Sequence, residues 1–197
     1  MQEPSLPIDS LNNFLADYDI GLKAAVDALL LDLNIGGADG FLSALIALHH
    51  PQIKCTTFDL PPVAPLALAK LKQMNVSDRV SVASGDFVKD VLPSAEIISM
   101  GNILHGLNEE AKIELMKKAF DVLPANGVLI AIENVIDNNR IKNTFGLLMS
   151  LDMLIEIGDG FDYTQQDFEN WAKQVGFKRT EFIPLAGFTS AAVAYKS

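Results

Sequence analysis

The stretch Leu29-Leu30-Leu31-Asp32-Leu33-Asn34-Ile35-Gly36-Gly37-Ala38-Asp39-Gly40 decides the fold of this chain. An apolar run of strand character passes directly into a glycine-rich turn, and the turn opens a helical pattern over residues 41–49. Glycine permits a tight turn and lets a ligand approach the backbone with no Cβ in the way, while the helix that follows offers unpaired N–H groups in its first turn. Strand, glycine loop and helix in that order bind nucleotide-like ligands in open α/β sheets.

About twenty residues further on, a second apolar run, 53–58, ends in Asp59. A carboxylate there is placed to accept hydrogen bonds from two ribose hydroxyls, so loop and acid together predict an adenosine cofactor. More strand candidates follow at 79–83, 95–100, 127–134, 178–185 and 188–195. Between them Val63/Leu66/Ala67/Leu71/Met74, Leu115/Met116/Ala119/Phe120/Leu123 and Phe168/Trp171/Ala172/Val175 fall on helical stripes. Asn108 before Glu109 and Glu110, and Thr164 with Asp167, read as N-caps, and Pro124-Ala125-Asn126-Gly127 closes a helix before a strand.

This alternation signals an α/β fold, and most of the strands are apolar enough to belong in a sheet covered on both faces. Only Pro184-Leu185-Ala186-Gly187 separates the last two, which is too short for a parallel crossover and implies a hairpin. The expected architecture is a Rossmann-like, doubly wound, mostly parallel seven-stranded sheet with a C-terminal antiparallel hairpin strand. It occupies residues 29–197, and 1–28 form a helical appendage with one or two short helices within 9–26. The segment 140–158 interrupts the alternation, and its stripe Phe145/Leu148/Met149/Asp152/Met153 reads as an inserted helix beside the ligand crevice.

Bulk properties narrow the classes. A net charge of −10, from 15 basic and 25 acidic residues, leaves no basic stripe for a nucleic-acid backbone. No leader pattern and no apolar run of membrane-spanning length occurs. The lone Cys55 cannot make an intrachain disulfide, which fits a reducing, cytoplasmic setting, and its plainer reading is a small buried apolar residue. No metal is called for. A hydrophobic content of 49% is high for this length, so one face is expected to be covered by a partner or a second copy.

Four patterns in order, Asn34-Ile35-Gly36-Gly37-Ala38-Asp39-Gly40, Phe58-Asp59-Leu60-Pro61-Pro62-Val63, Ser84-Gly85-Asp86-Phe87 and Asn102-Ile103-Leu104-His105, carry a resemblance, and Phe161-Asp162-Tyr163-Thr164 adds a fifth. From residue 29 to the C-terminus the chain resembles the catalytic domain of the class I S-adenosylmethionine-dependent small-molecule O-methyltransferase family, which includes plant caffeic acid O-methyltransferases and bacterial polyketide and carotenoid relatives. The resemblance implies methyl transfer from S-adenosylmethionine to a hydroxyl of a small aromatic or polyketide-like acceptor. It implies cofactor contacts from Asn34, Gly36, Gly37, Gly40, Asp59, Leu60, Asp86, Phe87 and Gly101, with Asp59 at the ribose, Asp86 at the adenine amino group and Phe87 against the ring. It places His105 at the general base, a task that suits an imidazole of pKa about 6.5, with Glu133 and Asp162 to orient it. Met149, Asp152 and Met153 fall where relatives line the acceptor pocket.

Plainer readings stand beside these. His105 is otherwise a structural histidine, Glu133 a solvated strand end, Asp86 a turn cap, and Met149 and Met153 core; Asp152 faces a cavity or solvent. His49 and His50 read as a helix end with no chemistry. The chain departs from the family at Asn34, where an acid is usual, at Ala38, which replaces a glycine, at Gly101, where plant relatives have lysine, and at Gly106-Leu107, which replace Asp-Trp. These departures make a catalytically weak or inactive S-adenosylmethionine-binding domain the alternative, and the glycines alone also allow a nicotinamide dehydrogenase, although G-x-G-x-x-G spacing is missing. Relatives carry a large helical N-terminal domain, whereas about thirty residues precede the first strand here, so self-association as a homodimer is expected through the surface that domain would cover.

Overall fold

Side chains alternate along a strand, and in β1 (Leu30–Ile35) the alternation divides two kinds of residue: Leu33 and Ile35 point to one face of the sheet, Asp32 and Asn34 to the other. The computed structural model describes residues 30–185 and 187–197; the N-terminal helices expected within 9–26 lie outside the described residues. After β1 come α1 (Phe41–His49), β2 (Ile53–Asp59), α2 (Ala64–Gln73), β3 (Val80–Ser84), β4 (Ile97–Gly101), α3 (Glu109–Val122), β5 (Val128–Glu133), α4 (Thr144–Glu156), α5 (Gln165–Val175), β6 (Arg179–Pro184) and β7 (Ser190–Tyr195).

The strands form one seven-stranded sheet in the order β3-β2-β1-β4-β5-β7-β6. Pairings from β3 to β5 are parallel, and β7 runs antiparallel to both β5 and β6. The chain leaves β1 toward β2 and returns on its other side as β4, so the sheet reverses direction between β1 and β4. Crevices for ligands in open α/β sheets lie at such a point, beyond the C-terminal strand ends.

Each face has its own core. Leu33, Ile35, Ile98, Met100, Leu129 and Ala131 pack with Leu115, Met116 and Ala119 of α3 and Phe168, Trp171 and Ala172 of α5. On the other face Ile53, Cys55, Val80, Ile97, Ile130 and Val193 pack with Ala44, Ile46 and Ala47 of α1 and Leu71 of α2. The expected caps form: Asn108 accepts from the Ala111 N–H at 2.9 Å, and Thr164 and Asp167 make a reciprocal box. Arg79 donates to the carbonyls of Ala47, His50 and Ile53, which closes the C-terminal end of α1.

Some expectations about burial are corrected. Leu66 is exposed on α2, and so are Phe145 and Leu148 on α4. Helical spacing identifies a stripe but not how wide a neighbour will cover it. β6 is half-exposed rather than covered on both faces, because it is an edge strand.

Asp32 is 1% exposed, and among the described residues its carboxylate makes no hydrogen bond of ordinary geometry. Burial pushes its carboxyl up to about 7, and interaction with Ser99 offsets only part of this. A carboxyl raised in the folded state favours folding below its unfolded value near 4, and that contribution is lost as pH rises through about 7. Asp32→Asn is therefore expected to stabilise the domain at pH 8 by about 1–3 kcal/mol, allowing for the amide it buries, and to have no such effect at pH 4. Urea unfolding at the two pH values measures this, and a variant less stable at pH 8 would contradict it.

Candidate active site

The glycine loop folds back onto the end of β2. Gly36, Ala38 and Gly40 have φ of 64°, 47° and 77°. The N–H groups of Gly36 and Gly37 both point to the Phe58 carbonyl, at 2.9 and 3.3 Å. Asp59 then clamps the loop: one carboxylate oxygen accepts from the Ala38 N–H at 2.9 Å and the other from the Leu60 N–H at 2.7 Å. Each oxygen keeps a further lone pair. A Cβ on Gly37 would stand 2.1 Å from Thr57 Oγ1 and 2.6 Å from Asn34 Oδ1, so close packing demands glycine there. Asn34 is buried and its amide donates to Ser99 Oγ at 3.1 Å, tying β1 to β4 beneath the loop. Ala38 holds a left-handed backbone without a glycine's freedom, at a cost of about 1–2 kcal/mol.

Asp86 follows β3, and the Gly85 N–H donates to the Asp59 carbonyl at 3.0 Å, which joins the two acid-bearing strand ends. The Asp86 carboxylate accepts from Lys89 Nζ at 2.7 Å and from the Val88 N–H at 2.9 Å, contacts that hold its carboxyl below the usual range. The turn is fixed to α3 by Lys118, whose ammonium donates to the carbonyls of Phe87, Val88 and Asp90 at 3.1, 2.5 and 3.0 Å. Phe87 packs half-buried against the core. Gly101 ends β4, and apart from its chain neighbours no atom of the described residues lies within 4 Å of the place its Cβ would take.

Past Gly101 the chain makes a short 3-10 turn, Leu104–Gly106, that carries His105, 7% exposed. Glu133 at the end of β5 fixes this turn, because its Oε1 accepts from the Ile103 N–H at 2.9 Å and the Leu104 N–H at 2.6 Å. Of the two acids expected around the imidazole, Asp162 is the one beside it: His105 Nδ1 lies 3.7 Å from Asp162 Oδ1. Glu133 acts instead on the backbone under the histidine. Burial pushes both carboxyls up to about 7, and it holds His105 below its ordinary value. Tyr163, fully buried, interacts with Glu133, and its hydroxyl is raised by burial and by that carboxylate.

The inserted helix lies alongside. α4 ties to the acid segment through Ser150 Oγ, which accepts from the Asp162 N–H at 3.1 Å. Met153 is buried, Met149 half-buried, and Asp152 faces solvent. Lys112 is a member of this group that sequence reading passed over. It is 0% exposed, donates to the Leu107 carbonyl, and its ammonium stands 3.4 Å from the Phe161 ring centroid. The available signal was its place three residues before Leu115 and four before Met116, on the buried stripe of α3. Among the described residues no group of three or more His, Cys, Asp or Glu is placed to hold a metal ion, and no helix is long and apolar enough to cross a membrane.

Residues 14–178 match the model of the O-methyltransferase domain family. The chain belongs to that family. It is 30% identical over 164 residues to the tetracenomycin polyketide synthesis 8-O-methyl transferase TcmO of Streptomyces glaucescens, covering 83% of this chain and 48% of that protein. It is 32% identical over 164 residues to norreticuline-7-O-methyltransferase of Papaver somniferum, covering 82% and 43%. The solved structure of PigF with SAH, a protein of Serratia sp. (strain ATCC 39006), superposes with a TM-score of 0.81 at 26% identity, over 92% of this chain and 53% of that one. The chain thus spans about half the length of the curated relatives it matches.

Within this O-methyltransferase domain the Glu133 clamp can be tested by itself. Glu133→Ala leaves two N–H groups without their acceptor and is expected to cost about 2–4 kcal/mol in chemical denaturation, whereas Glu133→Gln keeps an acceptor and costs less than about 1 kcal/mol at pH 8. Equal loss in both variants would show that charge, not the clamp, is what matters.

Proposed function

We propose that this domain binds S-adenosylmethionine in the crevice between the glycine loop and the end of β4 and transfers its methyl group to the hydroxyl of a small aromatic or polyketide-like acceptor, with His105 as general base. The observation that carries the reading is the juxtaposition of buried His105 with Asp162 just past β4, on the strand-end side that holds the loop and Asp59. The names of the polyketide and plant relatives support the hydroxyl acceptor.

The residues present fit the cofactor. Asp59 clamps the loop and still has lone pairs for two ribose hydroxyls, Leu60 flanks it, Asp86 and Phe87 stand at the next strand end for the adenine, and open space beside Gly101 admits the chain that carries the sulfur. Gly36, Gly37 and Gly40 keep the loop low enough for close approach. When bound, the cofactor supplies a methyl group already activated on a sulfonium.

The protein's own task is to hold the acceptor in line and take its proton. Burial holds His105 below its ordinary value, so the imidazole is neutral at pH 7. With Nδ1 toward Asp162, Nε2 is left to accept the acceptor's proton, and the carboxylate stabilises the imidazolium that forms. Glu133 sets the turn's height through Ile103 and Leu104. Met149 and Met153 give the acceptor an adaptable wall, and Asp152 stands at its solvent edge.

Calorimetric titration with S-adenosylhomocysteine, with nicotinamide dinucleotides as controls, tests the cofactor, and micromolar affinity is expected. His105→Ala should keep that affinity within about twofold and lose turnover by about 10²–10⁴-fold. The acid limb of kcat/KM should lie near pH 7, where the Asp162 carboxyl, raised by burial, gains its proton and leaves the imidazole without its partner, while His105, lowered by burial, takes up a proton only at more acid pH. No binding at millimolar concentration would end the cofactor reading. Binding without transfer to any hydroxyl acceptor would favour the second reading, a weak or inactive binding domain, to which the strained Ala38 and the internally bonded Asn34 already lend support. A homodimer is part of the same proposal, formed through the exposed apolar residues of α4, Phe145, Leu148, Leu151 and Ile155. Sedimentation that gives only monomer across concentrations would remove it.

A further inference from the structure

A lysine with no exposed surface in the core of a domain needs an explanation, because an ammonium gives up its hydration on burial. Lys112 recovers part of this loss locally. It donates to the carbonyl of Leu107, two residues after His105, and lies over the ring of Phe161, one residue before Asp162, with Trp171 of α5 at 5.8 Å. Trp171 is itself held by Glu109, which accepts from its Nε1 at 3.0 Å. One side chain therefore touches the segment on each side of the His105–Asp162 pair. The charged groups that act on it are all acids: Glu133 on β5, Asp162 and Asp159 between α4 and α5, and Glu109 on its own helix. His105 and Tyr163 complete the titratable set around the pair.

We propose that Lys112 is a positioning residue for the His105–Asp162 pair, holding the two segments together through the Leu107 carbonyl and the Phe161 ring and placing a positive charge beside the residue that precedes Asp162. This rests on the reading of His105 as base only for its kinetic consequence. The charge relation between Lys112 and Asp162 is independent of any reaction.

The direction of the neighbouring titrations agrees with this geometry. Burial pushes Asp162 up to about 7 and Lys112 opposes that rise, while burial pushes Lys112 down to about 8 and the surrounding acids oppose that fall. At pH 7 the lysine is charged and the carboxyl is close to its midpoint, so loss of the lysine's charge changes how much carboxylate is present.

Lys112→Met is the first variant, because an apolar side chain of similar length is often neutral or stabilising at a buried charge. The Asp162 carboxyl is followed by ¹³C NMR across pH in the protein without substrate and assigned by its absence in Asp162→Asn. Its titration is expected to move up by about one pH unit in Lys112→Met. Lys112→Gln, which keeps a donor for Leu107 but no charge, should show the same upward shift and serves if the methionine variant does not fold. In turnover assays kcat should fall about fivefold at pH 7 and return to wild type near pH 9, with affinity for S-adenosylhomocysteine unchanged. An Asp162 titration equal to wild type in a folded variant would overturn the proposal, as would its full restoration in Lys112→Gln. Loss of turnover that pH does not restore would assign Lys112 a packing role instead. Turnover that survives His105→Ala would refute the base and leave the carboxyl titration as the measure of Lys112.

Discussion

The bond from Glu133 to the amides of Ile103 and Leu104 is the constraint on which the site depends. β4 and β5 are neighbours in the sheet, but the paired register ends at Gly101 and Ile132, and after one last backbone bond, from the Asn102 N–H to the Ile132 carbonyl at 3.2 Å, the ladder stops. A single carboxylate at the last position of β5 replaces that ladder. Two N–H groups that would be orphaned in a buried turn find their acceptor, and the histidine that follows inherits a fixed place. The cost is a carboxylate with 0% exposure, and that cost is why a tyrosine hydroxyl and a buried lysine are found around it. Three ionisable groups in a core are thus one arrangement rather than three anomalies.

The glycine-loop side of the crevice is built by the opposite means. There the backbone supplies the donors, and one half-buried acid and one carbonyl supply the acceptors: Asp59 gathers the Ala38 and Leu60 amides, and the Phe58 carbonyl gathers Gly36 and Gly37. The two halves meet where the Ile103 side chain lies over Gly36, so close that a Cβ there would stand 2.1 Å from Ile103 Cδ1. The glycine loop and the turn that carries His105 are thus packed against each other.

Much of this was legible from residue order. The run from 29 to 40 predicts strand, glycine loop and helix, and α1 occupies the expected residues 41–49. Local signals sufficed because each rests on neighbours in sequence: the Asn108 cap, the Thr164 box, the short link before β7. The rest depends on contacts between distant segments. No spacing rule joins Glu133 to the amides of Ile103 and Leu104, and a lysine within a charged helix such as α3 reads as solvated until Phe161 and Leu107 are seen to enclose it. The exposure of Leu66, Phe145 and Leu148 was hidden for a related reason, since periodicity gives the direction of a side chain and not the extent of what covers it.

α3 bears on both halves. Lys112 near its first turns grips the His105 segment through the Leu107 carbonyl, and Lys118 farther along grips three carbonyls of the turn after β3. Six residues of helix separate the two lysines, roughly 9 Å of rigid rise. One helix therefore acts as a gauge block between the turn that carries Asp86 and the turn that carries His105. The segment from 91 to 96, between that turn and β4, is anchored a second time, because Leu92 and Ala95 are buried in the core and the Glu96 N–H donates to the Leu31 carbonyl at 3.0 Å, so helix and segment hold the same spacing independently.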